Sequence, residues 1–188
     1  MKIGITGGIG SGKSYVCKYL EQHGIEVFDC DTAAKVLMRY APNIRQQLTE
    51  LIGPDAYNAD GSLNKAVVAQ FLLSSPANAK AIDAIVHPAV FELFEDSGLE
   101  WMESAILFES GAYKLVDKVV AVVAPKEVRI QRVMQRDNIS REKALDWMSR
   151  QWDQREVIRK ADFVVINDGE KDLENQIIKI IEQCNKQF

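Results

Sequence analysis

Short apolar runs alternate along this chain with longer stretches in which apolar residues recur every three or four positions. Residues 2–6, 25–28, 104–108, 118–124 and 163–166 are runs of strand length. Residues 13–23 place Val16, Tyr19 and Leu20 on one helical face, and Gly24 closes that helix. A helix is predicted over 32–40, with Asp31 as its candidate N-cap. From about 42 to 98 the pattern is helical. Asn58-Ala59-Asp60-Gly61 marks a turn there, and Ser74-Ser75-Pro76 opens the next helix. Pro88 predicts a break at His87, because proline lacks the N–H a helix interior needs. Pro125 and Ser140 each open a charged helix, and an amphipathic helix follows Asn167-Asp168-Gly169. The strand runs are apolar throughout rather than alternating. Together with the intervening helices, that predicts an α/β fold around a parallel sheet buried on both faces.

Composition narrows the classes without choosing among them. The chain has 188 residues, is 47% hydrophobic and 27% charged, and has a net charge of −4. At about 150 residues per domain this is one domain with appended lobes, large enough to bury a core without staples. The apolar run 119–124 is far shorter than the about 20 residues of a spanning helix, so no membrane role is expected. The acidic balance argues against a nucleic-acid partner. Three cysteines without a C-x-x-C pair, and only two histidines, offer no metal-ligand spacing. The opening Met-Lys-Ile-Gly-Ile has no secretory character, and a reduced, cytoplasmic setting is expected. Charge is nevertheless uneven. Residues 126–160 hold ten basic side chains against six acidic ones, which points either to a local anionic ligand or to a solvated helix face.

The anion is suggested by Gly7-Gly8-Ile9-Gly10-Ser11-Gly12-Lys13-Ser14, a full G-x-x-x-x-G-K-[ST] string between a strand and a helix start. Five of the 11 glycines lie within the first 12 residues. Glycine is costly in conformational entropy, so the cluster needs a reason, and a backbone nest for phosphate supplies one. In that chemistry Lys13 reaches the β- and γ-phosphates, and the Ser14 hydroxyl ligates Mg²⁺. The rest of the chain must choose the reaction. Neither Asn-Lys-x-Asp nor Asp-x-x-Gly is present for a GTPase, and no apolar run ends in the Asp-Glu of motor ATPases. Asp29-Cys30-Asp31 follows the second strand instead. In a parallel sheet the carboxyl ends of the strands line the ligand crevice, so a carboxylate here suits a general base for an attacking hydroxyl. Asp31 serves equally as a helix cap on spacing alone. Arg129, Arg132 and Arg136 share a helical face, and either line a phosphate lid or stand in solvent. His87 beside Pro88 either contacts an acceptor or caps a helix.

These pieces in this order resemble the dephospho-coenzyme A kinase family. The resemblance is carried by Thr6 to Ser14, Phe28-Asp29-Cys30-Asp31, Asp60-Gly61-Ser62-Leu63-Asn64, His87-Pro88 and Leu107-Phe108-Glu109. It continues through Arg132, Arg136-Asp137, Gln151, Ala161-Asp162 and Asn167-x-Gly169. It implies a three-layer P-loop kinase fold with a parallel five-stranded core sheet, a helical substrate domain and a helical lid. The core would be residues 1–31, 99–125 and 160–188, the substrate region 32–98 and the basic lid 126–159. The implied reaction moves a phosphoryl group from ATP, with Mg²⁺, to the ribose 3′-hydroxyl of dephospho-coenzyme A. Residue by residue, the resemblance implies Asp31 as base, with Lys13 and Arg136 acting on the phosphates. ATP would meet Gly8, Gly10, Ser11, Gly12, Lys13, Ser14, Tyr15, Arg136, Asn167 and Gly169. The acceptor would meet Asp31, His87, Leu107 and Glu109, and the metal Ser14.

Three positions depart from the family pattern: Tyr15 replaces a usual threonine, Ala105 a proline, and Lys65 a common arginine. A kinase of another small acceptor, such as a nucleoside monophosphate, and an ATP-dependent binding module are the competing readings.

Overall fold

The computed structural model describes residues 1–185. In chain order the first elements are β1 (Ile3–Thr6), α1 (Lys13–Gln22), β2 (Val27–Asp29), α2 (Cys30–Tyr40), α3 (Pro42–Ile52), α4 (Lys65–Ser74) and α5 (Ala77–Ser97). There follow β3 (Trp101–Glu103), β4 (Lys118–Val123), α6 (Lys126–Asp137), α7 (Arg141–Ser149), α8 (Gln154–Lys160), β5 (Phe163–Ile166) and α9 (Leu173–Asn185). The chain divides into two compact units, one of Met1–Phe28 with Leu99–Phe188 and one of Asp29–Gly98.

The strands form one parallel sheet in the order β2-β3-β1-β4-β5. All four residues of β1 are buried, as are the last five of β4. This is the burial expected of strands covered on both faces, and it explains the absence of alternation in the sequence. Val16, Tyr19 and Leu20 of α1 and Ile177, Ile180 and Cys184 of α9 pack into the same core as Ile3, Ile5, Val120, Val122 and Val165. Their i, i+3, i+4 and i+7 spacings put one face of each helix on the sheet. A smaller cluster joins α6 to α7 through Ile130, Val133 and Ala144. Asp162 fixes the start of β5, accepting hydrogen bonds from Lys118 Nζ and the Val119 N–H, each 2.9 Å.

Register decides what stands around the end of β1. Ile5 lies opposite Glu103 on one side, and Thr6 opposite Ala121 on the other. β1 feeds the glycine loop, so its neighbours β3 and β4 deliver their own carboxyl ends beside that loop. β2 and β3 lie on one side of β1 and β4 and β5 on the other, so the strand order reverses beside the end of β1, the switch point where ligands bind.

The helical unit is built from α2, α3, α4 and α5, with Ile44, Leu48, Val86, Val90 and Phe94 buried. Its 58–61 turn forms as expected, closed by a bridge between Tyr57 and Leu63.

Three local expectations change. The run 104–108 is not a strand: β3 ends at Glu103, although the Ser104 N–H still donates to Ile5 O at 3.0 Å. A short apolar run records burial rather than strand geometry, and here it buries Leu107 and Phe108 in a turn. Pro88 does not break its helix, because α5 runs continuously from Ala77 to Ser97. Val86, Val90 and Phe94, all buried on its inner face, hold the two halves on one axis despite the missing hydrogen bond. The cap of α2 is Asp29, whose Oδ1 accepts the Thr32 N–H at 3.0 Å, and not Asp31.

Candidate active site

Residues 7–12 leave β1 and enter α1 through backbone conformations that side chains resist: Gly7, Gly10 and Gly12 all have positive φ. A Cβ on Gly12 would strike Asn167 Nδ2, and one on Gly8 would strike the Arg129 guanidinium. The chain therefore uses glycine here for two reasons, left-handed turns and close approach by other side chains.

Those side chains take the loop's carbonyls. Lys13 Nζ donates to Gly7 O at 2.8 Å, Arg129 Nε to Ile9 O at 2.9 Å, and Asn167 Nδ2 to Ser11 O at 2.9 Å. Arg132 reaches Gly10 O at 3.4 Å and both oxygens of Asn167. Four carbonyls are thus held by donors from α1, α6 and the end of β5. Among the described residues, no protein acceptor takes the N–H groups of Gly10, Gly12 or Ser14. A loop whose carbonyls are turned away on donors and whose N–H groups are left over is an anion cradle at a helix N-terminus. Ser11 Oγ adds to this. It is fully buried in the loop and has no hydrogen-bond partner among the described residues, a cost that a phosphate acceptor would remove.

Beneath the loop, Glu103 stands 3.7 Å from Lys13 Nζ, with both side chains largely buried. Sequence reasoning missed this residue. The available signal was a carboxylate closing the apolar pair Trp101-Met102, but only the pairing of β3 with β1 shows that it faces the phosphate loop.

The arginines divide. Arg129 is 7% exposed and Arg132 half-buried, and both hold the loop, whereas the exposed Arg136 pairs with Asp137 through Nε and Nη2. Burial pulls the Arg129 pKa below the usual guanidinium value, and Asp153 opposes that shift. Arg129 and Arg132 are thus the two that hold the loop. Arg136 shares their helical face but lies two turns, about 10 Å, further along α6 from Arg129.

Asn167 meets the loop at Ser11 O. Gly169, at φ 92°, turns the chain in open space. Tyr15 is 52% exposed, its hydroxyl 3.4 Å from Glu174 Oε1. Leu107 has no exposed surface and packs on Gly4. Glu109 accepts the Trp152 N–H at 2.9 Å, and Phe108 stacks on the Trp152 ring. In the helical unit, Asp31 lies in the first turn of α2 with its side chain 82% exposed, 3.7 Å from Lys35 Nζ. His87 lies in mid-α5, 3.5 Å from Asp83 and stacked near Phe91.

Sheet order, phosphate loop and helical unit define a P-loop kinase fold. Two solved structures share it at identities that speak to fold alone. A dephospho-CoA kinase from Campylobacter jejuni has a TM-score of 0.69 and 22% identity, over 100% of this chain and 99% of the other. Shikimate kinase from Bacteroides thetaiotaomicron has a TM-score of 0.57 and 13% identity, with 98% of each chain covered. The narrower assignment comes from sequence. A family model described as dephospho-CoA kinase matches residues 1–172. A Bacteroides fragilis protein named dephospho-CoA kinase is 42% identical over 188 residues, covering 96% of this chain and 91% of its own length. The chain belongs to the dephospho-CoA kinase family.

Proposed function

We infer that this protein transfers the γ-phosphoryl group of ATP to the 3′-hydroxyl of dephospho-coenzyme A, the last step of coenzyme A biosynthesis. The observation that carries the reading is the phosphate loop itself, with four carbonyls turned onto side-chain donors and a buried, unpartnered Ser11 hydroxyl. Family membership supplies the acceptor.

In this reading the N–H groups of Gly10, Gly12 and Ser14 bind the β-phosphate, and Lys13 neutralises charge between β- and γ-phosphates. Asn167 and Gly169 border the nucleoside, with Tyr15 at its edge. Asp31 accepts the proton of the 3′-hydroxyl as its oxygen attacks the γ-phosphorus, and ADP leaves. The cap of α2 belongs to Asp29, so Asp31 carries no structural duty that competes with this one. His87 and Glu109 stand as acceptor-side residues. Arg136 is held here only by an exposed ion pair, which contributes little, so exchanging Asp137 for a phosphate oxygen costs little.

Magnesium fits this donor set. Among the described residues no cluster of three or more carboxylates, histidines or cysteines builds a metal cage. Mg²⁺ typically takes one or two protein groups and completes its shell with phosphate oxygens and water. Ser14 and Glu103 are the residues that would hold it. When bound, it neutralises charge developing on the transferred phosphoryl group.

The test is phosphorylation of dephospho-coenzyme A by ATP and Mg²⁺, against a panel of nucleoside monophosphates, with product position read by phosphorus NMR. Transfer to the 3′-hydroxyl of dephospho-coenzyme A is expected, and transfer to a nucleotide instead overturns the assignment. Asp31→Asn is expected to cut turnover about 10²–10⁴-fold while ATP affinity holds. Unchanged turnover would remove Asp31 from the chemistry.

A further inference from the structure

One residue of the phosphate loop is gripped three ways, and none of the three belongs to phosphate chemistry. Ile9 is the only residue between Gly7 and Gly10 with a side chain. That side chain packs on the cluster of Ile130, Val133 and Ala144 joining α6 to α7. Its carbonyl accepts from Arg129 Nε at 2.9 Å, and its N–H donates to Gln151 Oε1 at 2.7 Å. Gln151 Nε2 points at Ala105 O, 3.4 Å away. The two partners fix the amide's orientation, because turning it over would set N–H against N–H and oxygen against oxygen.

The segment carrying Gln151 is itself braced. The next residue, Trp152, donates its N–H to Glu109 and lies parallel to the Phe108 ring, 5.7 Å between centroids. Residues 105–109 thereby tie the 151–152 segment down, and that segment ties down the loop.

We propose that Gln151 is a positioning residue for ATP binding: with Arg129 it fixes the Ile9 peptide, so that a glycine-rich loop is already shaped before phosphate arrives. The proposal rests on the kinase reading above and deepens it. Three of the four residues 7–10 are glycines, which lose more backbone freedom on ordering than other residues. Fixing Ile9 from both sides meets part of that cost in the free protein, and preorganisation of this kind appears as affinity. It also takes the Ile9 N–H out of the cradle, leaving phosphate to the groups from Gly10 onward.

The test compares wild type with Gln151→Met, which keeps the volume and removes both hydrogen bonds. Amide hydrogen exchange at Ile9 is followed by NMR, ATP affinity by calorimetry, and KM for each substrate by steady-state assay. Expected are about tenfold faster exchange at Ile9, about tenfold weaker ATP binding with a matching rise in the ATP KM, and an unchanged acceptor KM. Gln151→Glu keeps an oxygen for the Ile9 N–H and is expected to restore its protection. Unchanged ATP affinity, whether or not the melting temperature falls, overturns the proposal and leaves Gln151 a residue of the fold. The outcomes separate cleanly from the parent reading. A protein that binds ATP but does not phosphorylate dephospho-coenzyme A refutes the acceptor, while the exchange and affinity comparison still decides Gln151.

Discussion

At the scale of single residues, the site is made by what the loop's glycines allow others to do. Gly12 at φ 96° admits the Asn167 amide, which reaches Ser11 O because no Cβ is in the way. A side chain held in left-handed backbone costs about 1–2 kcal/mol before any collision is counted. Gly12→Ala is therefore expected to lower stability by about 2 kcal/mol or more and to abolish measurable ATP binding, read by urea denaturation and calorimetry. Retained affinity would mean that the Asn167 contact is dispensable. Ser11 shows the limit of residue-level reading. Its place in the motif was plain, but burial without a partner is a property of the folded loop. The same holds for Arg129. The sequence offered three arginines on one face, and depth alone distinguished the buried one on the loop from the exposed one paired with Asp137.

At the scale of elements, the start of α2 carries a division of labour between two aspartates two residues apart. Asp29 accepts both the Thr32 N–H and the Thr32 hydroxyl, at 3.0 and 2.7 Å, and closes the helix end. Asp31 in the first turn makes only an exposed contact with Lys35. Asp29→Ala is expected to cost about 1 kcal/mol, the usual worth of a cap, whereas Asp31→Asn should leave the melting temperature within error. Paired thermal melts decide it, and equal losses would show that both residues are structural. Strand runs 2–6, 118–124 and 163–166 were legible to within a residue or two because both-face burial leaves a continuous apolar run. Run 104–108 misled for the same reason, since a buried turn looks identical in one dimension. Pro88 was misread because tertiary packing overrides even proline's strong local penalty, here through three buried residues on the inner face of a 21-residue helix.

At the scale of the whole molecule, the chain divides into two units, with the phosphate loop in one and Asp31 and His87 in the other. Among the described residues no helix is long and apolar enough to cross a membrane. Ligand linkage gives a global readout of the site. ATP with Mg²⁺ at a hundred times its dissociation constant adds about 2.7 kcal/mol, or roughly 5–10 °C in melting temperature for a chain of this size. Lys13→Ala should fold but lose most of that shift; a full shift in the variant would remove Lys13 from the phosphates. By itself the sequence determined the α/β class, the phosphate loop, its lysine and the candidate base, because these are written in contiguous residues whose spacing carries the chemistry. Only the tertiary structure decided that Glu103 faces Lys13, that Arg129 rather than Arg136 holds the loop, that Leu107 is core, and that Gln151 reaches Ile9 across 142 residues of chain. Strand order, register and burial bring those pairs together, and none of these is a local property of the residues they join.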